Sequence, residues 1–592
     1  MCKIKVMGCL SKAKLCAVVS LTLVGTIVAI ALVAYMFFYT SDTGDSFVRA
    51  SPVSTDCGSV SGRVIEAKNG VNISTYRNIP YAVPPLKDLR WKPSTLLSEG
   101  DDTCWDEEFD GTTEEQIQCV NGSTIAGLYY GVEDCLVLSV RTPDVNGSRP
   151  VIIWIHGGGL IAGYGDETGY SQDEDYTEAL DVVTVNINYR LGLMGFMTVE
   201  DFDTTGNYAN YGLTDQVTAL KWVSENIAKF GGNPNSVTIL GNSGGGTAVL
   251  GLISSPLANN LFHKAIALSP GPFWNTTYTE ANERYKSFVG HTGCDNSSQS
   301  ERLECMQNLD IKAVWDAGAA TFEKYELGLS GVVIFDFPMK YGYQNEPIGM
   351  SAIDPIVVPQ APKNLANALF IPKSKIKVII ANTAEEASLV AMEYGKNAFP
   401  DTTEGWESLE SALKEQLANI VGDSAVDQLM EDMWAVYPRV VAEQTVPSGW
   451  TPQKAWDTLV TDLRFTCPLN NLVLDMKNNS NYEIYRLYIT HAYPGFPSFH
   501  SWDTLALFGL KFPMFSSIPE SQAEHINGFV NAIQKLVKDF AYDTVDGEWE
   551  TYPTNSKVLT NSAPWSEVSV SVRGDECALW KENELDQYGY QN

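Results

Sequence analysis

The run ILGNSGGGTAV, Ile239–Val249, places Ser243 inside a cluster of glycines. The apolar, β-branched run SVTIL predicts a short buried strand, and the small and apolar residues that follow predict a packed helix. The G-x-S-x-G pattern is weak by itself, because glycine and serine are common. A strand, a tight turn and a helix in this order favour a nucleophile elbow at Ser243. A flexible glycine-rich turn is the alternative reading of the same residues.

An uncharged run of 25 residues, Leu15–Tyr39, separates the N-terminus from the rest of the chain. As a helix it would measure ~37 Å, which exceeds the ~30 Å thickness of a bilayer core. This length predicts a transmembrane signal anchor over residues 15–39 rather than a cleaved signal peptide, whose apolar core is shorter. Four lysines precede the run, and the next basic residue is Arg49. The positive-inside rule then predicts a cytosolic tail, 1–14, and a single-pass type II membrane protein with its bulk extracellular or lumenal.

Cysteine usage agrees with this division of the chain. Eight of the 11 cysteines follow the predicted anchor, and an even number suits four disulfides in an oxidising compartment. The other three are candidates for acylation or stay as unmodified thiols; they are Cys2, Cys9 and Cys16. Six N-x-S/T sequons on the predicted outer side are candidate glycosylation sites, and they begin at Asn72, Asn121, Asn146, Asn275, Asn296 and Asn478.

The charge balance is strongly acidic. After residue 39 the chain has 36 basic and 72 acidic residues. This excess of negative charge argues against nucleic acid as a partner. It could draw cationic ligands toward an acidic cleft, although an ordinary solvated glycoprotein surface is the simpler interpretation.

Beyond the anchor the sequence predicts a polar stalk, 40–56, one large domain, 57–582, and a short tail, 583–592. Apolar strands such as PVIIWIH, VVTVNINY and KVIIA alternate with amphipathic helices such as LTDQVTALKWVSENIAKF. This alternation predicts an α/β fold with a large, mostly parallel central sheet flanked by helices.

A nucleophilic serine needs a base, an acid and oxyanion donors. The strand-like run YEIYRLYI precedes both His491 and His500, and IKVII precedes a pair of glutamates, Glu385 and Glu386. These residues alone leave the choice of base open, and the glutamate pair could be a solvated loop. The run IWIHGGGLIAG predicts a strand that ends in three glycines, whose bare amides can face one point. No G-x-x-x-x-G-K-[ST] pattern accompanies them, which argues against nucleotide binding.

Several blocks together resemble the type-B carboxylesterase/cholinesterase family. RNIPYAVPPLKDLRW is similar to its GIPYA-PP--LRF block, and EDCLVLSV is similar to its EDCLYLNV signature. YRLGLMGF and the region around ILGNSGG follow the central block of the family. The resemblance covers about residues 57–582 and implies the α/β-hydrolase fold.

The family pattern implies a role for individual residues. It assigns Ser243 as the nucleophile, Glu386 as the triad acid and His500 as the base, with no metal or cofactor. It places the oxyanion donors at Gly158, Gly159 and Gly244. It also implies four disulfides, which pair Cys119 with Cys135, Cys294 with Cys305, Cys467 with Cys577 and, by what remains, Cys57 with Cys104.

The sequence departs from the family pattern close to these residues. Asn242 replaces a glutamate before the nucleophile, and Gly244 replaces an alanine after it. Ser501 replaces the glycine after the histidine, and Asp503 replaces a nearby glutamate. Ala387 and Leu160 replace a further glycine and an aromatic residue. The tryptophan with which cholinesterases hold choline has no counterpart in TIAGLYYGVEDC, so acetylcholine is not an expected substrate.

Two functions are compatible with these residues. The retained triad favours a serine hydrolase that cleaves carboxylic esters through an acyl-enzyme. The alternative is a weakly active or inactive ectodomain that serves in adhesion, as relatives in this family do, with a homodimer or an adhesion partner.

Overall fold

The computed structural model describes residues 47–100, 104–105, 107–123, 128–198, 209–271, 276–295, 298–322, 352–361, 364–365, 374–388, 399–438, 449–492, 497–511, 519–545, 547–560, 566–569, 572–583 and 585. A compact unit spans Arg49–Asn592. The predicted cytosolic tail and signal anchor lie outside the described residues. Of the helices that are described, none has the length and apolar character needed to cross a bilayer.

Thirteen of the described strands form one mixed sheet. In the order in which they lie side by side, the strands are β1 Val48–Thr55, β2 Gly58–Glu66, β3 Asn72–Pro80, β7 Val137–Thr142, β9 Val183–Ile187, β8 Arg149–Ile155, β10 Gly232–Asn242, β11 Lys264–Leu268, β12 Ile376–Thr383, β13 Tyr482–Ile489, β14 Ser556–Leu559 and β15 Ser566–Ser569. The short strand β4 Phe109–Asp110 pairs with β2. The seven strands from β9 to β14 in this order run parallel. The pairs β2–β3, β3–β7, β7–β9 and β14–β15 are antiparallel, and β4 is parallel to β2. Two further strands, β5 Asn121–Ser123 and β6 Leu128–Tyr130, form a separate two-stranded antiparallel sheet.

Fourteen described α-helices surround or extend this sheet. They are α1 Glu174–Leu180, α2 Gly192–Phe196, α3 Tyr211–Asn226, α4 Gly244–Ser254, α5 Tyr278–Thr292, α6 Gln299–Asn308, α7 Ile311–Phe322, α8 Thr403–Val421, α9 Val426–Val436, α10 Pro452–Thr461, α11 Cys467–Lys477, α12 Trp502–Leu507, α13 Glu520–Ala541 and α14 Gly574–Glu582. A π-helical turn, Asp462–Thr466, joins α10 to α11.

The continuous apolar strands predicted from the sequence are buried on both faces of the sheet. Along β8 the side chains alternate, so that Ile153 packs into one core while Ile152 and Trp154 pack into the other. Helices α3, α4 and α11 cover the first face, and α1, α12 and α13 cover the second. Because no face of these strands meets water, period-2 polarity is absent from their sequence.

The sheet starts earlier than predicted. Val48–Thr55, which the sequence analysis placed in the stalk, forms the edge strand β1 beside β2. In β1 only Ala50, Val53 and Thr55 are buried, and the serines between them are exposed. This polar composition made an edge strand resemble a linker.

The structure contains the four disulfides that the resemblance implies. Of the sequon asparagines, Asn72, Asn146 and Asn478 are exposed, whereas Asn275 and Asn296 lie outside the described residues. Asn121 is the exception, since its side chain is buried and its amide nitrogen donates to the carbonyl of Cys119 at 2.8 Å. Burial and this hydrogen bond argue against a glycan on that nitrogen.

Candidate active site

Ser243 occupies a strained turn between strand and helix. Its backbone has φ 56° and ψ −123°, a conformation that L-residues rarely adopt. Crowding on either side explains the flanking glycines: a Cβ on Gly241 would lie 2.3 Å from the carbonyl oxygen of Gly245, and one on Gly245 would lie 2.0 Å from that of Ile155. The turn therefore has the features of the nucleophile elbow that the sequence predicts.

The histidine and the acid meet at the same edge of the sheet. Glu386 follows the end of β12, and His500 lies in the loop between β13 and α12. The Nδ1 atom of His500 is 2.5 Å from Oε2 of Glu386. Glu386 is fully buried and His500 is 6% exposed. A short contact in such a dry setting fixes the ring orientation and stabilises an imidazolium cation.

The second oxygen of Glu386 is also held. Oε1 accepts a hydrogen bond of 2.6 Å from the hydroxyl of Ser269 and one of 2.7 Å from the backbone amide of Thr383. Ser269 directly follows β11, so it stands at the carboxyl end of the strand between β10 and β12. Sequence reasoning missed this donor, although its place after a parallel strand was a usable signal.

Residues adjacent to Ser243 and His500 join the two segments. Oγ of Ser501 donates to Oδ1 of Asn242 at 2.7 Å. The hydroxyl of Tyr170 donates to the same oxygen and lies 3.2 Å from Oγ of Ser501. In the sequence Asn242 and Ser501 are recognisable only as departures from the family pattern, and Tyr170 lies in a loop whose residues indicate no role here.

The glycine-rich loop after β8 faces the elbow. Gly158 and Gly159 have φ values of 101° and 62°. A Cβ on Gly157 would lie 3.4 Å from Cβ of Ser243, and one on Gly244 would lie 2.8 Å from the amide nitrogen of Gly159. Within the described part of the chain, the amides of Gly158 and Gly159 donate to no other residue. Together with the amide of Gly244 at the start of α4, they form a candidate oxyanion site.

The other histidines near the sheet have environments that suit neutral rings. Burial lowers the pKa of His156 to about 4, and its Nδ1 lies 2.9 Å from the carbonyl oxygen of Gly157. Burial also lowers the pKa of His491 to about 3, where the ring stacks on Phe529 with 3.8 Å between centroids. The carboxylate beside His500 favours this residue over His491 as the base, a choice that the strand pattern left open.

A further acid lies behind the pair of Glu386 and His500. Asp503 is fully buried, and the pKa of its carboxyl is raised to about 7 by burial and by the charge of Glu386. Its Oδ1 accepts a hydrogen bond of 2.7 Å from the amide of Thr504. Its Oδ2 has no hydrogen-bond partner within the part of the chain that the structure describes.

Known proteins share sequence and fold with this chain. Residues 49–580 match the Carboxylesterase family. The chain belongs to that family. Solved structures titled PNB esterase resemble it with a TM-score of 0.66, at 23% and 25% identity, over 90% of this chain and 99% of theirs. This likeness shows an α/β-hydrolase fold.

Individual curated relatives of this carboxylesterase-family chain align over only part of their length. Phenmedipham hydrolase of Pseudarthrobacter oxydans is 40% identical over 227 residues, 37% of this chain and 44% of the relative. Human cocaine esterase is 39% identical over 244 residues, covering 38% and 42%. Mouse carboxylesterase 1D is 30% identical over 418 residues, covering 67% and 66%. In the first two alignments the chain spans less than half of the relative's length.

Proposed function

We propose that this protein hydrolyses carboxylic esters through Ser243, His500 and Glu386. The observation that carries the proposal is the 2.5 Å contact between His500 and the buried Glu386, at the sheet edge where Ser243 occupies its strained turn. Membership of the carboxylesterase family and the esterase and hydrolase names of its relatives support the same reaction class.

In the proposed mechanism His500 accepts the proton from Oγ of Ser243 as that oxygen attacks the ester carbonyl. Glu386 holds the imidazole through Nδ1 and stabilises its cation. The amides of Gly158, Gly159 and Gly244 stabilise the negative charge on the tetrahedral intermediate. His500 then protonates the leaving alcohol, and a water molecule cleaves the acyl-enzyme by the same steps in reverse. The chemistry needs no metal or cofactor.

A comparison of two serine variants tests this proposal. The full chain should hydrolyse p-nitrophenyl esters, and Ser243→Ala should reduce kcat by about 10⁴-fold or more. Ser255→Ala is a matched control, because Ser255 is buried and its hydroxyl has no partner among the described residues. A folded Ser243→Ala chain that keeps its turnover would exclude Ser243 as the nucleophile. A folded wild-type chain without turnover would favour the adhesion alternative.

We also propose that the protein is a type II membrane glycoprotein with the hydrolase domain outside the cytosol. The support is the uncharged run over residues 15–39, the lysines before it and the exposed sequon asparagines at Asn72, Asn146 and Asn478. Glycosidase treatment should lower the mass of the cellular protein. Protease added to the non-cytosolic face, on intact cells or on sealed vesicles of that orientation, should degrade the domain and spare the tail. A domain that resists this protease and is degraded only from the cytosolic face would contradict the topology.

A further inference from the structure

We infer that Ser501 is a positioning residue that holds His500 against the nucleophile elbow through Asn242. This inference rests on the proposed triad. Ser501 directly follows the histidine, and Asn242 directly precedes the nucleophile. One side-chain hydrogen bond between them therefore joins two segments that are 259 positions apart in the sequence.

The acceptor in this bond is buried and oriented. Asn242 is fully buried. Its Oδ1 accepts from both Ser501 and Tyr170, while its Nδ2 faces the carbonyl oxygen of Leu268 at 3.4 Å. An amide side chain suits this arrangement, because its oxygen accepts from two hydroxyl donors while its nitrogen donates to a carbonyl, which a carboxylate cannot do.

Tyr170 connects the same cluster to the glycine loop. Its hydroxyl lies 3.2 Å from Oγ of Ser501 and 3.0 Å from the position of a Cβ on Gly157. Burial raises the pKa of Tyr170 above its usual value, so the hydroxyl remains a donor at neutral pH. The elbow, the histidine loop and the glycine loop thus meet at one set of three polar side chains.

The backbone of Ser501 gives a second, independent argument. The residue has φ 71° and ψ 5°, in the left-handed region where glycine is favoured. Glycine is also the residue that the carboxylesterase pattern has at this position. The chain keeps a side chain where the backbone disfavours one, and the only hydrogen bonds described for its hydroxyl are those to Asn242 and Tyr170.

Because glycine relieves the backbone at this position, Ser501→Gly separates positioning from stability. We expect kcat for a p-nitrophenyl ester to fall about tenfold while KM stays within about twofold, because a small misplacement of the base slows the chemical step. The melting temperature should stay unchanged or rise. Ser501→Ala, which also lacks the hydroxyl, should lose kcat to a similar extent. The double variant, Asn242→Ala with Ser501→Gly, should lose less activity than the two single losses predict together, since both substitutions remove the same hydrogen bond.

Asn260→Gly is the matched control. Asn260 has φ 65° and is exposed, so glycine relieves a similar backbone strain with no contact to the site. This variant should gain stability and keep kcat. An active wild-type chain whose kcat is unchanged in Ser501→Gly would overturn the inference and leave the triad intact. A wild-type chain that neither turns over an ester nor reacts at Ser243 would overturn the proposed function and this inference with it.

Discussion

The backbone conformation of Ser243 sets the direction of its side chain at the turn between β10 and α4. The conformation at φ 56° lifts the side chain out of both the strand and the helix, and glycines at positions 241 and 245 are the only residues that fit the neighbouring carbonyls. The sequence predicts this turn because its glycines and the runs around them carry the steric requirement directly. The position of a histidine that must meet this serine from far along the chain leaves no such local pattern. His500 was identified only through the resemblance to a family.

The alanine that the family pattern has after the nucleophile does not fit this chain. A Cβ at Gly244 would lie 2.7 Å from the amide nitrogen of Leu160 and 2.8 Å from that of Gly159. We expect Gly244→Ala to displace the glycine-rich loop after β8. The substitution should lower kcat by about ten- to a hundredfold, somewhat less than the loss of a whole oxyanion donor. Ester turnover by the purified chain measures the effect.

Gly290→Ala is the control for this substitution. Gly290 lies within α5, and a Cβ there would meet no atom within 4 Å. It should leave kcat unchanged and stabilise the helix by up to about 1 kcal/mol. If Gly244→Ala also keeps full activity, the glycine loop does not depend on the absence of a side chain at 244.

Asp503 makes the stability of the folded protein fall as the pH rises. Its folded-state pKa of about 7 lies above the ordinary value near 3.9, so the folded state binds its proton more tightly than the unfolded state. The stabilisation is complete below about pH 4 and is lost as the pH rises toward 7. Asp503→Asn mimics the protonated acid and should stabilise the protein at pH 8, by an amount on the order of 1–4 kcal/mol, with a much smaller gain at pH 5.

Melting temperatures of the wild type and Asp503→Asn at the two pH values measure this effect. Asp423→Asn, at an exposed position, should shift the melting temperature little at either pH. A gain for Asp503→Asn that is equal at pH 5 and pH 8 would mean that the carboxyl does not titrate in this range.

The candidate active site lies where three neighbouring parallel strands end. Ser243 follows β10, Ser269 follows β11 and Glu386 follows β12 after two intervening residues, and these strands are consecutive neighbours in the sheet. Parallel strands deliver their carboxyl ends to one edge, so residues that are far apart in the chain meet there. Strand type and order of elements were predictable from apolar runs. The edge strand β1 was not, because its exposed serines hide the buried positions between them.

The π-helical turn before α11 anchors the C-terminal helix. Asp462 in this turn is fully buried and accepts hydrogen bonds of 2.5 Å and 2.9 Å from Arg573, just before α14. It also accepts one of 2.8 Å from the hydroxyl of Tyr437. Asp462→Asn removes the charge that Arg573 faces. We expect it to lower the free energy of unfolding by about 2 kcal/mol, less than for a fully buried pair because Arg573 is 24% exposed.

Thermal unfolding of Asp462→Asn and a surface control tests this anchor. Lys286→Gln breaks the ion pair between Lys286 and Glu283, whose side chains are 57% and 63% exposed respectively. It should change the free energy of unfolding by no more than about a few tenths of a kcal/mol. Equal effects of the two substitutions would show that the buried position of Asp462 adds nothing.

The chain as a whole is strongly acidic. The chain has a formal net charge of −32 at pH 7. Such a surface attracts cations over distances that the Debye length sets, about 30 Å at 0.01 M salt and 8 Å at 0.15 M. We expect kcat/KM for a cationic ester to fall several-fold between these two salt concentrations, while a neutral ester of the same size and leaving group changes little. Parallel salt dependences for the two esters would exclude steering by the net charge.

Covalent labelling tests whether Ser243 is an activated nucleophile. The full chain is treated with a fluorophosphonate, and its intact mass and peptides are measured. One adduct on the peptide that contains Ser243 is the predicted result, absent in Ser243→Ala and formed far more slowly in His500→Ala. A folded wild-type chain that gains no adduct, or gains one on a different serine, would contradict the claim that the hydroxyl of Ser243, the imidazole of His500 and the carboxylate of Glu386 act as one catalytic unit.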